Sequence, residues 1–143
     1  PGPPPERMEF RAGREPITDV LTSIQARRGH GKFRQDLLEV WGGACAVTKL
    51  ACTEVLRASH IKPWADSTEK QRLDSDNGLL LSANLDALFE RGLVSFDQQG
   101  QMLVSQRLSP EQCQALGLPR PLRFVPGAVG EYLKYHVEHV FQR

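Results

Sequence analysis

Residues 57–92 read RASHIKPW, then ADSTEKQRLDSD, then NGLLLSANLDALFERG, and the fold turns on how this stretch divides. Glu54–Ser59 reads as a short strand that ends at His60. Asn77-Gly78 is a strong turn signal, and Leu79, Leu80 and Leu81 form a brief apolar run suited to a second strand. Ser82 is placed to cap a helix that Gly92 ends, with Leu85, Leu88 and Phe89 as its buried stripe. The connector Ala65–Asp76 is polar and reads as a surface loop bordering a groove. The order is therefore strand, loop, strand, short helix. It places His60 on the first strand, Asp86 on the helix and Asn77 at the junction.

Outward from this stretch, residues 1–15 are rich in Pro, Gly and charge and read as a linker or arm, set aside from the fold. Ile17, Val20, Leu21 and Ile24 share one helical face, so Thr18–Arg28 is expected to be a helix that Gly29 interrupts. A second helix is expected over Lys32–Trp41, with Phe33, Leu37, Leu38 and Trp41 inward and Gly42-Gly43 ending it. Ala44–Lys49 and Glu54–Ser59 read as strand-turn-strand. On the C-terminal side, Leu93–Phe96 and Gln101–Val104 flank Asp97-Gln98-Gln99-Gly100, a hairpin signal. Ser109-Pro110-Glu111-Gln112 is a capping box, opening a short helix that should end at Gly117. Leu118–Val125 reads as irregular, and Gly127–Phe141 as a closing helix carrying Tyr132, Tyr135 and His136. The fold class is α+β, in one domain over residues 16–143, with a central unit at about 54–92.

A length of 143 residues suits a single domain with a real core. The net charge of +1 excludes a basic tail, so nucleic-acid binding requires a local patch. Arg27, Arg28, His30, Lys32 and Arg34 crowd one junction, either as phosphate contacts or as a solvated helix surface, and His30 reads equally as a plain loop residue. Cys45, Cys52 and Cys113 are odd in number and form no CxxC pair. They imply no disulfide framework and no structural zinc, and a reduced, cytoplasmic setting is the simpler expectation. Cys45 and Cys52 read as small buried residues. No apolar run has the length of a membrane span, and no membrane partner is expected. The chain opens PGPPP without an initiator methionine, and an N-terminal targeting or sensing domain is expected to precede it.

The order of these residues resembles the HNH nucleases, and within them the branch written SHIKPW, then NGLLL, then D-x-LF-[DE]-x-GL-x-SF. The matching segments are Ser59–Trp64, Asn77–Leu81 and Asp86–Phe96. Weaker likeness covers Gly29–Leu38, the Cys45-Ala46-Val47-Thr48 turn and the Tyr132–Phe141 helix. The resemblance implies a ββα-metal finger that hydrolyses DNA with one divalent cation, Mg²⁺ with Mn²⁺ as a substitute. It implies His60 as general base, Asn77 as the residue bracing it, Asp86 as metal ligand and Glu90, one helical turn later, as a second ligand. Arg34 stands in an FR pair that the family pattern shares, which marks it as a phosphate contact. The family commonly has Asp or His as a ligand immediately before the base. Here Ser59 stands there, so weak Mg²⁺ binding is expected in the free protein. His136 and His139 lie on a separate helix and read as packing or surface residues. The implied setting is the nuclease module of a restriction, defence or toxin system. The alternative is a DNA-binding module that uses the same scaffold without catalysis.

Overall fold

Three consecutive leucines, Leu79–Leu81, are completely buried, and this sets the architecture. A strand turns alternate side chains to opposite faces, so an unbroken buried run needs cover on both. In the computed structural model, which describes residues 17–143 and side chains from residue 28 onward, helices supply that cover. Strand β1 (Leu56–His60) pairs antiparallel with β2 (Gly78–Ser82), His60 opposite Gly78 and Leu56 opposite Ser82. Helix α1 (Ile17–Trp41) packs on the hairpin through Phe33, Leu37 and Trp41. Between the strands lie the short helix α2 (Glu69–Leu73) and the turn Ser75–Asn77. Helix α3 (Ala83–Glu90) follows β2 and packs back on both strands with Leu85, Leu88 and Phe89. The result is an α+β domain with a ββα unit at its centre.

A second hairpin, β3 (Val94–Phe96) with β4 (Met102–Val104), turns at Asp97, whose Oδ1 accepts the backbone N–H groups of Gln99 and Gln101. Helix α4 (Pro110–Leu116) starts on the expected Ser109–Gln112 capping box. Helix α5 (Val129–His139) packs against β3 and the Ser75–Asn77 turn, with Leu133 and His136 buried.

Three expectations need correction. Helix α1 is continuous, and Gly29 does not interrupt it. A helical glycine costs about 1 kcal/mol against alanine, which the burial of Phe33, Leu37 and Trp41 outweighs. A Cβ at Gly29 would lie 3.1 Å from the Leu73 side chain, so glycine lets α2 approach. Ala44–Lys49 is a knot of turns, not a strand. The Cys45 thiol accepts the N–H groups of Val47 and Thr48, the Lys49 N–H bonds the Cys45 carbonyl, and Lys49 takes a φ of 66°. Ala46 reaches the hairpin through its N–H to the Leu80 carbonyl. The connector Ala65–Asp76 is mostly short helix. Thr68 and Gln71 form a capping box that opens α2, a signal present in the sequence. The linker expected at residues 1–15 lies outside the described residues.

Gly78 is extended, so its role is space. A Cβ there would lie 2.4 Å from the Phe33 ring and 2.8 Å from the Leu37 side chain. Gly78→Ala should destabilise the domain by about 1–3 kcal/mol, the usual cost of overpacking. Urea denaturation checks this, and an unchanged midpoint would show that α1 yields freely at this point.

Candidate active site

His60 closes β1 facing α1. Its ring stacks on Phe33 with centroids 3.9 Å apart and planes within 1°. Its Nε2–H donates to the Arg72 carbonyl at 2.9 Å, because a carbonyl only accepts. That bond assigns the tautomer and leaves Nδ1 as the basic nitrogen, with no hydrogen-bond partner among the described residues. Burial pushes the His60 pKa from 6.5 down to about 4. The Arg72 carbonyl opposes this, while the charges of His30 and Arg72 add to it. The ring is neutral at ordinary pH. His30, which the sequence left open as a loop residue, is helical, one turn before Phe33, with its ring 6.2 Å from that of His60.

Asn77 is fully buried and sits in no hairpin turn. Its Oδ1 accepts the Lys62 N–H at 2.8 Å, its Nδ2 donates to the Gln71 carbonyl at 3.1 Å, and its own carbonyl accepts the Ile61 N–H at 3.0 Å. Nδ2 also reaches Ser67 Oγ, which in turn donates to the carbonyls of Lys62 and Pro63. Only an amide offers donor and acceptor in this form, so Asn77 ties the chain leaving His60 to the end of α2.

The closing helix holds the connector from outside. Tyr132 donates to Asp74 at 2.8 Å, and Tyr135 to Asp66 at 3.0 Å. Burial and the Asp74 carboxylate push the Tyr132 phenol up to about 12. The Ala128 N–H bonds Asp76 at 3.0 Å. The Y-x-x-Y spacing thus serves the connector.

Asp86 lies on the other face of the hairpin, on α3, and is 3% exposed. Ser59, also buried, stands on the same face, and its hydroxyl favours the ionised Asp86 carboxylate. Strand alternation explains the division, sending His60 toward α1 and Ser59 toward α3. Burial raises the Asp86 pKa, the Ser59 bond lowers it, and the Glu90 charge one turn away raises it again. The two carboxylates are hard-oxygen groups, the type of side chain that divalent cations such as Mg²⁺ accept. Among the described residues no three His, Cys, Asp or Glu side chains gather into a metal site, so water and phosphate would have to supply the other positions. Ser82 holds the N-cap position of α3, but its hydroxyl donates to Asn84 Oδ1 instead of capping.

Residues 45–97, which contain β1, the connector, β2, α3 and β3, match the sequence model of the HNH endonuclease family. This segment is similar to the HNH endonuclease family. No curated protein matches the chain. The family's members are generally nucleases that act on DNA with a divalent metal, and no described helix is long and apolar enough to cross a membrane.

The basic residues preceding the HNH segment divide. Both terminal nitrogens of Arg34 are committed, to the Leu56 carbonyl at 2.8 Å and the Thr53 carbonyl at 2.9 Å, so its fork holds the entry to β1. Lys32 is exposed and pairs with Asp36 at 3.0 Å. Arg28 is exposed, and the side chain of Arg27 lies outside the described residues.

His136, on the closing helix, is the useful contrast to His60. It too stacks on a phenylalanine, Phe89, at 3.8 Å, and burial takes its pKa to about 4. Its Nε2–H donates to the Phe89 carbonyl, but its Nδ1 accepts the Ser95 hydroxyl at 2.7 Å, so both nitrogens are spent. It packs the core. For both histidines the folded pKa lies below the unfolded 6.5, so the unfolded chain binds more protons between pH 4 and 6.5. Their contribution to stability is complete above pH 6.5 and is lost as the pH falls toward 4. Urea midpoints should drop across that window, and His136→Gln, which does not titrate there, should drop less steeply. An identical slope would show that His136 charges freely in the folded state.

Proposed function

We propose that this domain hydrolyses DNA phosphodiester bonds, with His60 as general base and Asp86 and Glu90 holding one divalent cation, Mg²⁺ or Mn²⁺. The observation that carries this reading is the state of His60: a fixed neutral tautomer, with Nε2–H on the Arg72 carbonyl and Nδ1 available. Nδ1 accepts the proton of an attacking water, and the new imidazolium keeps its bond to the Arg72 carbonyl. A bound phosphate beside the ring raises the pKa from its resting value of about 4 toward working pH, since a nearby anion favours the charged form. Asn77 keeps the backbone after His60 in place and so orients the ring. When bound, the cation supplies positive charge at a phosphoryl oxygen and at the leaving oxygen. Ser59 acts through Asp86 by turning the carboxylate, in place of an added ligand. Arg28 and Lys32, and Arg27 with them, contact flanking phosphates, while Arg34 serves by holding β1.

In plasmid nicking with Mg²⁺, Mn²⁺ or chelator, His60→Ala should lower the rate about 10²- to 10⁴-fold with DNA affinity and unfolding midpoint near wild type. Unaltered nicking by this variant would move the base elsewhere. DNA binding without metal-dependent nicking by the wild type would favour the non-catalytic module. Asp86→Ala should abolish nicking at ordinary Mg²⁺, whereas Glu90→Ala should respond to added metal. Calorimetry with and without a non-cleavable duplex should show tighter Mg²⁺ binding when DNA is present. Equal, tight binding in both titrations, unaffected by Asp86→Ala, would contradict the assigned ligands.

A further inference from the structure

The connector carries a cation for which the sequence offered no motif. Arg72, on α2, presents its carbonyl to His60 and its side chain to Trp64. The guanidinium carbon lies 3.5 Å from the Trp64 ring centroid, and Nε–H donates to the Trp64 carbonyl at 2.9 Å. Stacking and this bond fix the fork in one plane. Nη1 and Nη2 have no acceptor among the described residues. The carboxylates of the connector do not fill that role. Asp66 is held by Tyr135, Asp74 by Tyr132 and the Asp76 N–H, and Asp76 by the Ala128 N–H. A half-buried, oriented guanidinium whose outer nitrogens lack an anion is built to receive one. The same residue holds the His60 ring through its carbonyl at 2.9 Å.

We propose that the Arg72 guanidinium binds a non-bridging oxygen of the DNA phosphate that His60 faces. This rests on the nuclease reading for its catalytic consequence, but the contact itself does not require cleavage. One residue then serves both ends of the chemistry. Its carbonyl fixes the tautomer of the base, and its side chain offsets the charge that builds on the phosphoryl oxygens. Trp64 is the platform that orients the fork, which gives the tryptophan of SHIKPW a definite task. The competing account is that Arg72 only packs over Trp64.

Two readouts separate these accounts. The first is the nicking rate of Arg72→Ala, with and without guanidinium ion at low, non-denaturing concentration. The second is the salt dependence of binding to a short duplex in chelator, where no cutting occurs. Circular dichroism verifies folding, and Arg72→Lys, which keeps charge and stem, provides a second variant. The expected result for Arg72→Ala is a loss of about 10²- to 10³-fold in rate. Guanidinium should restore at least tenfold of that loss, and should not restore His60→Ala. The slope of log affinity against log salt should fall by about one. Arg72→Lys should keep the slope and lose less rate. Wild-type nicking by Arg72→Ala would overturn the proposal, as would a loss that guanidinium leaves untouched while the salt slope is unchanged. If the wild type fails to nick with every divalent metal tried, the nuclease reading falls. The phosphate contact then stands or falls on the salt slope alone.

Discussion

The hydrogen bond from His60 Nε2 to the Arg72 carbonyl is the constraint on which the site depends. It forces one tautomer, and much of the surrounding structure keeps its acceptor in place. The register of β1 with β2 sets His60 opposite Gly78, and the missing side chain of Gly78 lets Phe33 come close enough to stack on the imidazole. Asn77 closes the loop after His60 against the end of α2, and Tyr132 and Tyr135 fasten the connector to the closing helix. The base is held on its flat face by a ring and at one edge by a carbonyl. The remaining nitrogen is left for chemistry.

The hairpin also partitions the chemistry. His60 belongs to the face covered by α1, and Ser59, Asp86 and Glu90 to the face covered by α3. The base and the carboxylates therefore rest on separate supports, and a change at one need not disturb the other. The polarity of each face follows its task. Desolvation keeps His60 neutral, as the proposed base must be, and it raises the pKa of Asp86.

The strand–strand–helix order, the second hairpin and the Ser109 cap were legible because each rests on local signals: an apolar run, a turn tetrapeptide, a capping box. Long-range packing was not. The continuity of α1 through Gly29 depends on Leu73, which lies far along the chain. Asn77-Gly78 has the letters of a turn, but its amide and its vacancy are both used in the interior. The connector carried a readable cap at Thr68, hidden by the polarity of its neighbours. The hydroxyl of Ser59 looked like a missing ligand. In the fold it faces α3 with Asp86 and favours the ionised carboxylate, a placement that only the alternation of β1 and the position of α3 reveal. Arg34 and Arg72 invert the expectation drawn from charge alone. The first spends its fork on backbone carbonyls, and the second, unmarked by any motif, keeps its outer nitrogens open.

The tautomer of His60 is the most direct test of this account. Nitrogen-15 spectra of the histidine side chains, followed with pH, report which ring nitrogen carries the proton and where the ring titrates. The expected result is a proton on Nε2, an unprotonated Nδ1 and titration near pH 4, with His136 similar in pKa but with its Nδ1 shifted by the Ser95 hydroxyl. A proton on Nδ1 of His60, or titration near 6.5, would contradict the account, because the ring would be neither locked on Arg72 nor poised as the base.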